Sequence, residues 1–289
     1  MAETVPDNFL GLPARAADYG RARFAILPVP YDATTTYGGG TRDGPRAIIT
    51  ASQQVELYDE ALGRTVPRGG AATLAPLESD ARGPEFMLER IYRAARRVVR
   101  DGKFLIALGG EHSITAGLVR AVRAQHKDLT VLQIDAHADL REQYQNSPHS
   151  HACVMRRIHD AGVPYVGVGI RNYSAEEARF IRSAQVQLFS ARVCQETRAW
   201  VENVVAHLGR AVYVTIDIDG FDPACAPGTG TPEPGGLNWF QVNDLLATVA
   251  RQRRIVAADV TEVRPLPGNH VTEFLAARLV HRLMGLVEG

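Results

Sequence analysis

The chain has little cysteine, no long apolar run and no surplus of either charge, and each shortage removes a class of protein. Its three cysteines, Cys153, Cys194 and Cys225, are an odd number without a CxxC spacing. That argues against a disulfide framework and a structural zinc site and points to a reduced compartment. No stretch approaches the ~18 consecutive apolar residues of a membrane helix. Met1–Asn8 carries two acidic residues and no basic residue ahead of an apolar segment. The expectation is a soluble, cytoplasmic protein with no membrane partner. Lys plus Arg and Asp plus Glu number 32 each, and no basic block stands out, so nucleic acid is not expected as a partner either. What is left is a small molecule.

Against these shortages, short β-rich apolar runs recur: Phe24–Leu27, Phe104–Leu108, Leu129–Ile134, Tyr165–Ile170, Val212–Ile216 and Ile255–Val260. Helical spacing fills most of the intervals, at Phe86–Arg100, Ile114–His126, Ala152–His159, Glu176–Ala184, Thr197–Leu208 and Phe240–Arg253. Strand alternating with helix predicts an α/β fold, a mostly parallel sheet covered on both faces, and the length suits a single domain over residues 1–289. Ligands of such sheets bind beyond the carboxyl ends of the strands. The Gly- and Pro-rich stretches Tyr37–Pro45 and Pro223–Gly236 read as loops over that site.

Three of the runs end in metal-ligand chemistry. Leu129–Ile134 leads into Asp135, His137 and Asp139 at every second position, with alanine spacers. In an extended or gently turning backbone such residues share one face and can converge. Asp217 and Asp219 follow Val212–Ile216 with the same period, and Glu111 and His112 follow Phe104–Leu108. Four aspartates on neighbouring strand ends would repel one another unless cations neutralised them. Six donors exceed what one catalytic ion with an open position uses and suit two ions bridged by carboxylate. Oxygen-rich ligation without thiolate favours Mn²⁺ over zinc, although other divalent ions fit the same donors.

The strings Gly109-Gly-Glu-His-Ser113, Ile134-Asp-Ala-His-Ala-Asp139, Asp217-Ile-Asp-Gly-Phe-Asp-Pro223, Ala226–Gly236 and Asp259-Val-Thr-Glu-Val263 resemble, in order and spacing, the signatures of the ureohydrolases, the arginase and agmatinase family. The resemblance implies an arginase-like three-layer α/β/α fold and two Mn²⁺ per chain. It makes Asp135 and Asp217 the bridging carboxylates. His112 and Asp139 then complete one ion's ligands, and His137 and Asp219 the other's. By the same carry-over Glu262 holds the guanidinium and His151 shuttles protons, with catalytic roles expected for His151, Glu262 and Asp139. Glu111 replaces the family's usual Asp but leaves the ligand His112 in place. The family also implies a homo-oligomer, a trimer or hexamer.

Two divalent ions, four aspartates and a bridging hydroxide sum to roughly one negative charge, which a cationic guanidino substrate can approach and an anion cannot. Leu140–Ser150 and the Tyr37–Arg46 loop look like the agmatinase branch, so the expected reaction is agmatine to putrescine and urea, within polyamine biosynthesis. Aminopropylagmatine, guanidinobutanoate, guanidinopropanoate, arginine and formiminoglutamate stand as alternatives, and a non-enzymatic metal-binding protein as a remoter one. Arg264 occupies a position where relatives often carry Asn. If the strand stays extended, Arg264 shares a face with Glu262 and joins the substrate-binding residues. Thr229 and Thr231 are expected to support the metal-bound groups, while Cys225 and His149 are expected to have no catalytic part.

Overall fold

The computed structural model, described over residues 7–197 and 199–289, forms a strand from each of the six apolar runs. Met1–Pro6, within the Met1–Asn8 segment read above, and Arg198, inside the predicted Thr197–Leu208 helix, lie outside the described residues. In chain order the elements are β1 (Phe24–Val29), α1 (Gly44–Ser52), β2 (Tyr58–Asp59), β3 (Arg64–Thr65), β4 (Ala71–Thr73), α2 (Pro84–Arg100), β5 (Phe104–Gly109), α3 (Thr115–Arg123), β6 (Leu129–Ile134), α4 (Val154–Asp160), β7 (Tyr165–Ile170), α5 (Ala175–Ser183), β8 (Gln187–Ser190), α6 (Ala191–Glu196), α7 (Trp200–Ala206), β9 (Ala211–Asp217), α8 (Trp239–Gln252), β10 (Arg254–Thr261) and α9 (Val271–Glu288).

Eight strands make one sheet in the order β4-β1-β5-β10-β9-β6-β7-β8, every neighbouring pair parallel. Every residue of β1, β5, β6, β7 and β9 is buried, as expected of strands covered on both faces. Alternation divides each strand between two cores. Phe24 and Ile26 pack with α1 and α6 to α9, whereas Ala25, Leu27 and Val29 pack with α2 to α5. The result is the expected three-layer α/β/α arrangement.

The additions to the predicted elements are α1, α6, α9, the edge strands β4 and β8, and the β2–β3 hairpin. Three-residue β4 is too short to show a pattern. Helix α9 hides its period because it is buried nearly all round and includes His281, Arg282 and Glu273 among its buried residues. Its anchor is Asp59, wholly buried, which accepts from Arg282 Nε at 2.5 Å and from the Ala61 and Leu62 N–H groups at 3.1 and 3.0 Å. Burial, the largest influence, would raise that carboxyl, but the hydrogen bonds from Arg282 and the Leu62 N–H together with the Arg282 and Arg278 charges outweigh it and hold Asp59 below its ordinary range.

For the site, the decisive feature is strand order. β5, β10, β9 and β6 are consecutive in the sheet, so the segments that follow them lie side by side. β10, last in the chain, enters between β5 and β9 and delivers Glu262 into the middle of the cluster.

Candidate metal centre

Each donor is aimed by the local chain. Beyond β5, the Gly110 and Glu111 N–H groups donate to Val29 and Tyr31 carbonyls (2.9 and 2.7 Å), and a Cβ at Gly110 would come within 2.0 Å of the Tyr31 oxygen. Only glycine permits that approach, which sets His112 at the strand end. Asp217 ends β9, and its Oδ1 accepts the Asp219 N–H (3.0 Å) across a tight 3₁₀ turn, Ile218–Gly220. After β6 the chain turns more sharply than the extended or gently turning course expected. Asp139 has φ +52°, and its carbonyl accepts N–H groups of Met155 and Arg156 from the first turn of α4. A left-handed turn, rather than strand alternation, therefore brings Asp139 to His112.

Five of the six expected donors form two groups that share Asp135, and Asp217 joins the first through His112. His112 Nδ1 lies 3.1 Å from an oxygen of Asp135, 3.1 Å from Asp139 and 3.4 Å from Asp217. His137 Nδ1 lies 3.0 Å from Asp219 and 3.7 Å from Asp135. Asp135 directs Oδ2 to the first group and Oδ1 to the second, the geometry of a shared carboxylate. Among the described residues, no Lys or Arg forms an ion pair with these aspartates.

Without cations the cluster retains protons. Burial, then Asp135, pushes Asp139 up to about 7, and burial, then Asp219, holds Asp217 well above the carboxylate range. Burial opposes charge on the imidazoles too, but hydrogen bonds to Asp135 and Asp139 hold His112 high, and Asp219 with Asp135 hold His137 at about 12. Buried anions that can be relieved only by protons, with converging oxygen and imidazole donors, fit divalent ions.

A further shell fixes the rings. Thr215 Oγ1 donates to buried Asp259 (2.7 Å) and lies 2.8 Å from His112 Nε2. With its one proton committed, the hydroxyl accepts from Nε2–H, so Nδ1 is the nitrogen turned to the carboxylates, and its lone pair would serve a cation that displaced the Nδ1 proton. Gln133 Nε2 donates to Asp135 Oδ2 (2.8 Å) and the His137 carbonyl (3.0 Å). Thr231 donates to Asp219 at 3.3 Å, whereas the buried Thr229 hydroxyl finds no partner among the described residues. The Arg171 guanidinium ties the loops together through the carbonyls of Gly169, Asp219, Phe221, Glu233 and Pro234. Arg171 directly follows β7 and Gln133 lies within β6, so the strand-end position was a signal for the first and nothing marked the second.

Above the cluster is a cavity of about 190 Å³ floored by Asp139, Asp217, Asp219 and Glu262 and walled by His151 and Tyr144. Glu262 has φ +61°, and its Oε1 accepts the His112 N–H (2.8 Å). Burial, then Glu111, raises its carboxyl well above the usual range. His151 is pushed down to about 4, chiefly by burial, and packs edge-on to Tyr144. Arg264 is not in the lining. The positive φ at Glu262 breaks the extended run, the Arg264 N–H donates to the Gly228 carbonyl, and its guanidinium lies against Gly38. The shared face expected of Glu262 and Arg264 is therefore absent. A larger hollow of about 410 Å³ opens at the opposite strand ends, lined by Arg23, Lys103, Arg253 and Arg254, with His126 as its single imidazole and no carboxylate among the described residues.

Fold and donor chemistry define a class, α/β enzymes that work through divalent ions at the strand ends. Within it, the model of the Arginase family matches residues 22–285. The chain is 40% identical to an N(1)-aminopropylagmatine ureohydrolase of Synechocystis sp. over 97% of this chain and 94% of that protein. It is 33% identical to an agmatinase of Pyrococcus horikoshii over 93% of each. The crystal structure of the agmatine ureohydrolase of Thermoplasma volcanium superposes with a TM-score of 0.88 at 32% identity, over 100% of this chain and 95% of that one. The chain belongs to the arginase family, in the agmatinase branch, and is an amidinohydrolase.

Proposed function

We propose that this chain hydrolyses the guanidinium group of N(1)-aminopropylagmatine, releasing urea and a polyamine, with agmatine as the second substrate. The observation that carries the reading is the cavity floor, whose four buried carboxylates, Glu262 among them, outnumber the one arginine of the described lining, Arg141, which lies 3.9 Å from Glu177 and over the Tyr144 ring. A cation is the ligand such a floor accepts. The order of the two substrates follows the relatives, since the 40% match is named for aminopropylagmatine and the agmatinase match is at 33%.

The proposed ligands are His112, Asp135, His137, Asp139, Asp217 and Asp219, and carboxylate-rich donors without thiolate suit Mn²⁺. Two such ions, when bound, would ionise water at neutral pH and offset the aspartates' charge. Glu262, oriented by the His112 N–H, accepts guanidinium N–H groups in charge-assisted hydrogen bonds. His151, kept neutral by burial, takes a proton on its ring and returns it to the leaving amine. Tyr144 packs against that ring and limits its rotation. The same reading makes the chain one domain over residues 1–289, a cytoplasmic trimer or hexamer in polyamine biosynthesis. Light scattering tests the oligomer.

Urea release by the Mn²⁺-loaded chain decides the substrate, with N(1)-aminopropylagmatine, agmatine, arginine and guanidinobutanoate compared. kcat/KM is expected to be highest for the first, and urea from none of them would overturn the proposal. His151→Asn is expected to lower kcat by about 10²-fold or more while metal content stays unchanged.

A further inference from the structure

Behind His151, outside the cavity lining, stand two residues that neither the ligand set nor the proton shuttle uses. Glu111 is wholly buried and accepts the Thr34 N–H on Oε2 (2.6 Å), with the Thr34 and Ser113 hydroxyls on Oε1 (2.7 and 2.5 Å). Thr34 Oγ1 in turn accepts the His151 backbone N–H (3.0 Å) and lies 3.4 Å from His151 Nδ1. The loop carrying Thr34 is itself pinned, because Asp32 accepts from the Gly40 N–H and Arg42 Nε (3.1 and 2.6 Å).

A hydroxyl has one proton to give. Thr34 gives its proton to Glu111, so Oγ1 meets the ring as an acceptor, and the ring must donate from Nδ1. Ser150 Oγ, 3.3 Å from the same nitrogen, can turn to accept beside it. Nε2, engaged by neither hydroxyl, is left with its lone pair. The contact is long, as catalytic hydrogen bonds often are before substrate binds. The same device operates at His112, where Asp259 commits the Thr215 proton and thereby fixes the other nitrogen.

We propose that Glu111 and Thr34 are positioning residues for His151, which hold its Nδ1–H tautomer so that Nε2 takes and returns the proton. The proposal rests on the shuttle role given to His151 above. Glu in place of the shorter Asp gives the side chain the reach to grip both the N–H and the hydroxyl of Thr34.

The test is ¹⁵N NMR of histidine-labelled full-length chain loaded with diamagnetic Mg²⁺, the His151 signals being assigned by their loss in His151→Asn. The native ring is expected as Nδ1–H. Thr34→Val is expected to shift it toward Nε2–H and, in the Mn²⁺-loaded enzyme, to lower kcat about 10- to 100-fold with KM changed less than about threefold. Thr34→Ser is expected to restore both, and Ser150→Ala to leave the tautomer as it was. A native Nε2–H ring, or Thr34→Val that keeps Nδ1–H, overturns the proposal. Should Thr34→Val fail to fold, Glu111→Asp decides, since an unchanged tautomer there also overturns it. Undiminished urea release by His151→Asn would overturn the shuttle role itself, while the native ring's tautomer is read independently of activity.

Discussion

Among the described residues Asp59 and Asp135 are both wholly buried, and of the two only Asp59 is paired with an arginine. At Asp59 an arginine of α9 and two backbone N–H groups close around the anion, and the pair fastens the β2–β3 hairpin to the C-terminal helix. At Asp135 the neighbours are imidazoles and further aspartates, and no guanidinium or ammonium pairs with them among the described residues. The first arrangement is complete within the chain and serves stability. The second is incomplete, and what is missing defines what must come from outside: divalent cations below, a guanidinium above.

Substitution should separate the two. Asp135→Ala removes an oxygen from both donor groups, and the expected loss of several kcal/mol of transition-state stabilisation is about 10³-fold in rate. Metal analysis should show more than one ion lost per chain, and retention of both would contradict the shared role. Asp59→Ala leaves buried Arg282 with the exposed Glu60, at 3.0 Å, as its one anionic partner among the described residues and should cost about 1–3 kcal/mol of stability by denaturant unfolding, with the rate per folded molecule unchanged. A cost below about 1 kcal/mol would erase the contrast.

Thr215→Val leaves every ligand in place but frees the His112 ring. Metal affinity, measured by competition with a chelator, should fall about 10- to 100-fold, and an unaltered affinity would remove the role given to the Asp259–Thr215 pair.

The smallest effect is a pH dependence exposed by metal removal. In the metal-free chain the Asp139 carboxyl stands at about 7, against about 3.9 when unfolded, so the folded chain binds the extra proton between those values. Its stabilising contribution is complete below about pH 4 and lost as pH rises through 7, and raised His112 and His137 act in the same direction. Asp59, held low, acts oppositely, contributing above about pH 4 and failing on acidification. With chelator present the chain should therefore melt lower at pH 8 than at pH 6, by about 2–4 °C for each kcal/mol lost. A divalent ion should abolish the difference. Equal melting temperatures in chelator would show that the cluster is not frustrated.

The sequence by itself determined the strands and the donors. Runs such as Phe104–Leu108 are apolar throughout because a strand covered on both faces has no polar side to show, and charged residues directly after such runs have few structural reasons to be there. Hence the parallel sheet was legible, as were the six donors at its strand ends and the two residues, Glu262 and His151, that line the cavity beside them. Tertiary structure alone decided which strand ends meet. Nothing local says that β10 lies between β5 and β9, yet that insertion puts Glu262 beside His112. It also decided where alternation stops. Positive φ at Asp139 and Glu262 turns one residue into the cluster and carries Arg264 away from the cavity, because backbone direction there is set by hydrogen bonds to distant segments. Glu111 shows the same limit. Beside His112 in sequence it reads as a bystander, and only a contact 77 residues away, with Thr34, makes it part of the apparatus that holds His151.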